Sequence, residues 1–425
     1  MIRDYLRLIA EYPRFLAFGC LHQFFSSPGQ SYSLGVFGPA ISVAFALSST
    51  EFGLLYSTAT LLSGCLLPFF GPLIDRVNLR GYSVAVGLLM VAALLATAFA
   101  PALIVLFLGV LGLRFSGQGL MTQIGGVSTN RFFGAQRGKA LAVVGTGFAL
   151  GTAVFPITMA FLIERFGWQQ ALITMAGLVG VVFIPTSIGL IRKTDQFQHP
   201  PSSWAKEKGE DRESWTRGDV LQDPFFYLVM PLFLVPPFYG TGFMIHLGRL
   251  VEHKGWDMKW VASCFIASAV LGRVGSLCMG PIVDRFSARR LFSYTLLPYA
   301  IALTILATST HPLAAPLWLG LSGFSFGCMG VAMSSLWAEA FGVYSLGAIA
   351  SLVGASGVFA SALSPALFGW LLDVGFTIDD LVLSGVAMSV LVSLLAHLAP
   401  LPKAGSRKRD AGQSSGDATS KRSVP

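Results

Sequence analysis

The stretch GPLIDRVNLR, from Gly71 to Arg80, returns as GPIVDRFSARR from Gly280 to Arg290. The second copy begins 209 residues after the first, and this offset aligns a Gly-Pro pair, an Asp-Arg pair and a further arginine. Each copy follows a long apolar run. A polar segment that recurs at one offset indicates a duplicated structural unit.

The composition around the repeat is that of a membrane protein. Of the 425 residues, 54% are hydrophobic and 12% are charged, whereas soluble domains carry about 25% charged residues. Apolar runs of about 20 residues recur, which is the length that a helix needs to cross a bilayer. Because the runs are continuous rather than short and alternating, they favour helices over a β-barrel. The predicted fold class is an all-α membrane protein.

Long apolar runs bounded by charge, Pro and Gly predict twelve transmembrane helices. They cover residues 15–44, 51–74, 82–100, 102–130, 138–163, 168–190, 225–250, 258–283, 291–309, 312–338, 344–372 and 378–398. A long polar stretch separates the sixth run from the seventh. Each copy of the repeat falls between the second and third runs of its half, so we predict two six-helix pseudo-repeats.

This division predicts five segments along the chain. They are a cytosolic N-terminus (1–13), an N-terminal bundle (14–190), a cytosolic linker (191–221), a C-terminal bundle (222–398) and a disordered basic tail (399–425).

The basic residues are distributed unevenly between the two sides of the predicted membrane. Most of the 29 Lys and Arg residues fall in the N-terminus, the tail and the loops after even-numbered spans, and only Arg165, Lys254 and Lys259 fall in loops on the other side. Such a bias marks the cytoplasmic side. We therefore expect a multi-pass protein of a plasma (bacterial inner) membrane with both termini in the cytoplasm. The net charge of +8 then serves topology and lipid contact, not nucleic-acid binding.

The doubled loop resembles the signature of the major facilitator superfamily. A Gly-x-x-x-Asp-Arg motif between spans 2 and 3, repeated between spans 8 and 9 of a 6+6 chain, is typical of that superfamily, although Asn78-Leu79 replaces its usual glycine and basic residue. The resemblance covers residues 14–398. It implies secondary transport by rocker-switch alternating access, in which two bundles move around a cavity at mid-membrane.

A narrower resemblance points to the monocarboxylate transporter and oxalate:formate antiporter-like branch. It rests on RGKALAVVGTGFALG, from Arg137 to Gly151, and on Arg273 in span 8. The resemblance implies that Arg273 engages a substrate carboxylate. The acidic partner that many monocarboxylate carriers place one turn earlier is Ala269 here, and residues 344–372 contain no counterpart of the span-11 lysine of oxalate carriers.

Two arginines are expected near mid-membrane without an acidic partner. Arg273 lies about 16–20 Å from either end of its span at 1.5 Å per residue, and Arg114 in span 4 lies at a similar depth. An arginine there is costly unless it faces a cavity or a partner. Its planar fork suits a carboxylate, so both are candidate substrate-binding residues. In the alternative, they bond backbone carbonyls and hold helices together.

Polar side chains on spans 1 and 4 extend the candidate binding site. Gln118 shares one helical face with Arg114, and Gln30 and Tyr32 follow a Pro28-Gly29 break in span 1. Broken helices at mid-membrane often line transporter sites, and we expect spans 1, 4, 7 and 8 to form the cavity. In the alternative, these residues make hydrogen bonds between packed spans.

The remaining candidates concern coupling and gating. His22 and His246 lie within spans and are the candidates for carrying a coupled proton, with simple packing as the alternative. Asp75, Arg76, Asp284 and Arg285 of the repeated loops are the candidates for a cytoplasmic gate, with loop capping as the alternative.

No feature of the sequence indicates an enzyme, a metal site or a cofactor. The Gly-x-Ser-x-Gly pattern from Gly323 to Gly327 lies within an apolar run rather than at a strand-to-helix turn. We therefore predict a transporter, expected as a monomer, that moves a small organic anion, a monocarboxylate, in symport with protons. The alternative is an efflux transporter for amphipathic or drug-like compounds.

Overall fold

The computed structural model describes residues 2–133, 136–191, 217–341 and 346–399. Throughout these ranges the secondary structure is helical. Eleven of the helices are long and apolar enough to cross a membrane by length and composition. Numbered as spans 2 to 12, they are Ser49–Phe70, Leu79–Ala98, Leu103–Phe133, Arg137–Phe166, Trp168–Leu190, Pro224–Ile245, Met258–Phe286, Ala288–Thr308, Ala314–Phe341, Leu352–Asp373 (its helix begins at Leu346) and Ile378–Leu398.

Span 1 is a helix in two pieces. Pro13–Phe25 and Ser31–Ala44 are joined by a short 3₁₀ turn, Ser27–Gly29, after which Gln30 has an extended backbone. Proline removes a backbone donor and glycine lowers helix propensity, which explains why the helix breaks at this Pro-Gly pair. With this span the count reaches twelve, and the predicted fold class is confirmed.

Two segments, the N-terminus and span 7, differ from the prediction. Two others, the linker and the tail, lie mostly outside the residues that the structure describes. The N-terminus forms a helix, Ile2–Glu11, that packs beside span 5 through an ion pair of Asp4 and Lys139 with 3.6 Å between Oδ2 and Nζ. Span 7 ends at Ile245 and the chain continues as a short helix, Leu247–Lys254. Most of the predicted linker and nearly all of the predicted tail lie outside the described residues. The described end of the linker, Arg217–Leu221, is helical.

Side-chain caps define where several spans begin. Ser48 and Glu51 form a reciprocal capping box at the start of span 2, and Thr377 and Asp380 form another at the start of span 12. These caps satisfy N–H groups that have no partner within the first turn of a helix. Both lie at the face of the protein opposite the chain ends. We call this the distal face. The opposite face, where span 1 begins and span 12 ends, is the terminal face.

The two halves meet closely at the distal face. The Asp373 carboxylate, at the end of span 11, accepts bonds from the Thr50 backbone N–H (2.7 Å), the Thr50 hydroxyl (2.6 Å) and the Ser49 backbone N–H (3.3 Å). A carboxylate at a helix N-terminus also gains from the helix dipole. An exposed ion pair between Glu164 of span 5 and Lys259 of span 8 lies on the other side of the same seam.

Backbones touch where spans 2 and 11 cross. A Cβ atom on Gly369 would lie 2.2 Å from the carbonyl oxygen of Ser49, and one on Gly53 would lie 2.2 Å from that of Pro365. Only glycine permits this approach, which is common between helices packed in membranes. The distal seam is therefore closed by main-chain contact at this crossing.

A second ion pair stabilises the C-terminal half at the distal face. Lys254 Nζ lies 2.7 Å from Asp379 Oδ1 and 3.4 Å from the carbonyl oxygen of Ala307, and the lysine side chain is only 1% exposed. His253 contacts the other carboxylate oxygen of Asp379 at 2.9 Å. This cluster ties the segment after span 7 to the ends of spans 9 and 12.

Candidate functional site

A cavity of about 390 Å³ lies between the two halves. Spans 1, 5, 7, 8, 9 and 10 line it, whereas span 4 adds none of the lining residues, in contrast to the expectation from sequence. We call it the central cavity. Residues from both halves that face it include Tyr32, Phe148, Phe265, Tyr299, Trp318 and Ser322. Seven of the 18 lining residues are aromatic, and hydroxyl groups make the polar contribution.

Arg273 lies just below the central cavity, toward the terminal face. It follows Ser268, a cavity residue, by five positions in span 8, or about 7.5 Å along a helix. Its Nη2 donates a hydrogen bond across the seam to the carbonyl oxygen of Gly145 in span 5. Within the described part of the chain it has no ion-pair partner. Arg273 is thus a half-buried cation, and its hydrogen bond to the neutral carbonyl of Gly145 links the two halves.

Arg114 is enclosed within the N-terminal half. Its Nη1 donates to the carbonyl oxygen of Gly29 (2.8 Å), its Nε donates to the Thr60 hydroxyl (3.0 Å), and its guanidinium carbon lies 4.7 Å from the ring centre of Tyr56. Only 1% of the residue is exposed. It begins a π-helical segment, Arg114–Met121, of a kind that is frequent at functional sites. Arg114 therefore fastens the break in span 1 to spans 2 and 4.

We expect Arg114→Lys to destabilise the protein. A lysine keeps the charge but lacks the fork that reaches Gly29 and Thr60 together, so one hydrogen bond to a charged group is lost, worth about 1.5–3 kcal/mol. The melting temperature of the purified protein in detergent measures this, with Arg137→Lys, at the exposed start of span 5, as the matched control. Equal melting temperatures of the two variants would contradict the fastening role.

The other predicted substrate residues have different surroundings. Tyr32 lines the central cavity and its phenol donates to Ser27 Oγ at 3.0 Å. Gln30 is buried beside the span 1 break and donates to Ser26 Oγ at 3.4 Å. Gln118 is half-buried in the π-helical segment of span 4. The structure thus brings one of these three side chains to the cavity wall.

The polar faces of spans 1 and 4 bond to each other. Gln23 Nε2 donates to the carbonyl oxygen of Thr122 at 3.2 Å. In this stretch the polar residues act as contacts between packed helices.

The two histidines lie in separate places, neither of them in the lining of the central cavity. His22 is fully buried between spans 1 and 3, with Nδ1 2.8 Å from the carbonyl oxygen of Phe18 and Nε2 2.7 Å from Ser83 Oγ. His246 has Nε2 2.8 Å from the carbonyl oxygen of Pro365 and lines a cavity of about 450 Å³ at the distal face. Both rings therefore have hydrogen-bond partners.

The predicted gating residues lie at the terminal face. The side chain of Asp75 lies outside what the structure describes, and Arg76 is exposed. Asp284 and Arg285 line a groove of about 1390 Å³ in the C-terminal half. Glu339 of span 10 shares that groove.

Glu339 caps the start of span 9. Its carboxylate accepts from the Ser287 hydroxyl (2.5 Å), the Ala288 N–H (2.9 Å) and the Arg289 N–H (3.3 Å). The sequence analysis missed this capping residue of the repeated loop, because its partners lie 50 to 52 positions away.

Tyr299, Trp318 and Ser322 of the central cavity were also missed. Aromatic residues make up 12% of the chain and occur throughout the apolar runs, so their presence in a span carries little information. The available signal was a tyrosine and a serine near the middle of spans 9 and 10, since polar groups in a membrane interior need partners. Across the described residues we also find no group of three His, Cys, Asp or Glu side chains that could hold a metal.

Comparisons of the sequence with known proteins identify one family, and they find monocarboxylate transporters 12 and 13 as relatives. A model of the Major Facilitator Superfamily matches residues 20–278. Monocarboxylate transporter 12 of Rattus norvegicus is 22% identical over 403 residues, covering 87% of this chain and 82% of that protein. Monocarboxylate transporter 13 of Bos taurus is 24% identical over 363 residues, covering 83% and 82%.

Solved structures share the fold at lower identity. A bacterial homolog of the human lysosomal transporter Spinster, in an inward-facing, unoccupied conformation, gives a TM-score of 0.67 at 14% identity and covers 91% of this chain and 96% of that chain. A mutant of the nucleoside transporter NupG gives 0.68 at 14% identity, with 90% and 98% covered. At such identities the likeness shows the fold alone.

Proposed function

Because the chain belongs to the Major Facilitator Superfamily, it is a transporter and not an enzyme, and we propose that it carries a small organic anion, a monocarboxylate. The sequence resembles monocarboxylate transporters over most of its length. Rocker-switch movement of the two halves would expose the central cavity to each face in turn.

The single observation that carries this proposal is the position of Arg273. It is a half-buried cation next to the central cavity, and it donates a hydrogen bond to the neutral carbonyl of Gly145. A guanidinium can pair with a carboxylate through two parallel N–H···O bonds between opposite charges, whereas a carbonyl oxygen is a neutral acceptor. A carboxylate entering the cavity would therefore displace the carbonyl and gain the guanidinium as its partner.

This exchange suggests how binding is coupled to movement. The Arg273–Gly145 bond joins span 8 to span 5 on the terminal side of the cavity, while Asp373 and the glycine crossing close the distal side. A substrate carboxylate that takes Arg273 removes one bond between the halves. In our proposal the occupied transporter then opens more easily toward the terminal face.

The remaining features of the proposal concern protons and the membrane. His246 is the better placed histidine for a coupled proton, because it lines the distal cavity whereas His22 is enclosed between spans 1 and 3. We propose that the terminal face is cytoplasmic, on the basis of the excess of Lys and Arg there. In this scheme the protein is a lipid-embedded monomer of a plasma membrane.

The alternative is efflux of an amphipathic or drug-like compound. A cationic substrate would favour a carboxylate in the binding cavity, and none occurs among the residues known to line the central cavity. The aromatic walls would nevertheless suit an amphipathic body. The two functions therefore differ in the charge of the ligand that they require.

A thermal-shift screen of the purified protein separates them. Monocarboxylates, matched neutral amides, sugars, amino acids and amphipathic amines would be compared at equal concentration. We expect carboxylates to raise the melting temperature and the amides to leave it unchanged. A shift produced by the amines, with none from any carboxylate, would reject the anion proposal in favour of efflux.

A further inference from the structure

Two buried hydroxyl groups at the central cavity have no hydrogen-bond partner. They are the phenol of Tyr299 in span 9 and the Ser322 hydroxyl in span 10, and each belongs to a residue that lines the cavity. A buried polar group without a partner costs about 1–3 kcal/mol. Both oxygens are enclosed in the cavity wall, and a ligand that reached them would supply the missing hydrogen bond.

The walls beside these hydroxyls are aromatic. Trp318, Phe265 and Phe243 line the same cavity, and the ring of Phe326 lies 5.4 Å from that of Tyr299, centre to centre. Aromatic rings pack well against one another at such distances. The lining therefore fits a flat apolar body better than a short hydrated acid.

The volume of the cavity leads to the same expectation. At about 390 Å³ it falls within the range of roughly 300–1,000 Å³ typical of pockets that enclose larger organic ligands. A three-carbon acid has six non-hydrogen atoms and takes the space of about three waters, each about 30 Å³. It would leave most of the cavity filled with water against aromatic walls.

Ser322 and Arg273 lie at different depths between the two faces of the protein. Gly323 is the neighbour of Ser322, and a Cβ atom on it would lie 2.3 Å from the carbonyl oxygen of Ser268. Ser322 in span 10 and Ser268 in span 8 therefore lie at about the same distance from the terminal face. Arg273 lies five residues beyond Ser268, about 7.5 Å nearer the terminal face. Measured along span 8, the backbone positions of Arg273 and Ser322 are thus separated by about the length of a benzene ring with its substituents.

We propose that the central cavity is an aryl subsite and that the substrate is an aromatic monocarboxylate with a second polar group on its ring. The carboxylate binds Arg273, the ring packs among Trp318 and Phe265, and the ring substituent bonds Tyr299 and Ser322. This inference rests on the proposed function, because it assumes that the transported group is a carboxylate.

The test compares four ligands by their dissociation constants for the purified full-length protein. They are 4-hydroxyphenylacetate, phenylacetate, pyruvate and the neutral 4-hydroxyphenylacetamide. We expect the hydroxyaryl acid to bind about tenfold more tightly than phenylacetate and about a hundredfold more tightly than pyruvate.

Tyr299→Phe should remove the tenfold preference for the hydroxylated ring and leave phenylacetate binding unchanged. Ser322→Ala should act in the same direction.

Tyr294→Phe is the control, since the Tyr294 side chain is exposed, and melting temperatures check that each variant is folded. Pyruvate binding as tightly as the aryl acids would overturn the aryl subsite and leave the anion proposal standing. The amide binding as tightly as its acid would reject the anion proposal instead. An equal loss for both aryl acids in Tyr299→Phe would overturn the role of the hydroxyl.

Discussion

Replacing Arg273 with glutamine should lower the initial rate of carboxylate uptake at least a hundredfold. Glutamine keeps a hydrogen-bond donor for the Gly145 carbonyl but has no charge and no fork. Two bonds to a charged group, each worth about 1.5–3 kcal/mol, are lost from the bound substrate, and every 1.4 kcal/mol is a factor of ten in affinity. Arg273→Lys keeps the charge alone and should lose about tenfold.

Proteoliposomes loaded with purified protein provide the measurement. Arg137→Gln is the matched control, because it removes the same charge from an exposed position at the start of span 5 and should leave uptake unchanged. The thermal shift caused by carboxylates should disappear in Arg273→Gln at the same time. Uptake that survives in this variant would make Arg273 a structural bond between spans 5 and 8, without a part in substrate recognition.

Adding one methyl group at Gly369 should prevent the distal face from closing. The new Cβ would lie 2.2 Å from the Ser49 carbonyl oxygen, and because the neighbour is backbone rather than a flexible side chain, the two helices must separate. Opening the seam also breaks the bonds from Asp373 to Thr50. We expect Gly369→Ala to lower transport at least tenfold and to favour an open distal face.

Labelling of Ser31→Cys from the distal side with a membrane-impermeant maleimide reports the opening, since Ser31 lines the central cavity between the halves. The five native cysteines would be replaced first. Gly354→Ala is the control in the same helix, because a Cβ there meets no atom within 4 Å. Gly369→Ala should be labelled at least tenfold faster than this control. Equal labelling with normal transport would mean that the seam tolerates a wider crossing than its backbone contact implies.

Much of the fold was predictable because hydrocarbon imposes a strong constraint on sequence. Each span needs a long apolar run, and the Pro28-Gly29 pair marked the break in span 1. The helix Ile2–Glu11 was missed because it is short and mixes charged with apolar residues; packing of Leu8, which is buried, and the Asp4–Lys139 pair stabilise it. Such contacts depend on tertiary structure and leave no periodic signal of sufficient length.

The sequence predicts a depth for each candidate residue but not the direction of its side chain. Counting residues predicts that Arg114 and Arg273 lie near mid-membrane, yet their surroundings differ, since one is enclosed by spans 1 and 2 and the other bonds Gly145 of span 5 across the seam. Which way a side chain points depends on the rotation of its helix, and apolar composition on all sides of a span leaves that rotation undetermined. The same uncertainty concealed Tyr299 and Ser322.

The two lysine pairs of the distal face differ in their response to ionic strength. Lys259 and Glu164 have side chains 47% and 57% exposed, so dissolved ions screen their attraction. The side chain of Lys254 is 1% exposed, and its pair with Asp379 is largely shielded from those ions. Salt in the medium at the distal face therefore weakens the Glu164–Lys259 pair between the two halves more than the Lys254–Asp379 pair within the C-terminal half, so ionic strength acts on the contact between the halves first.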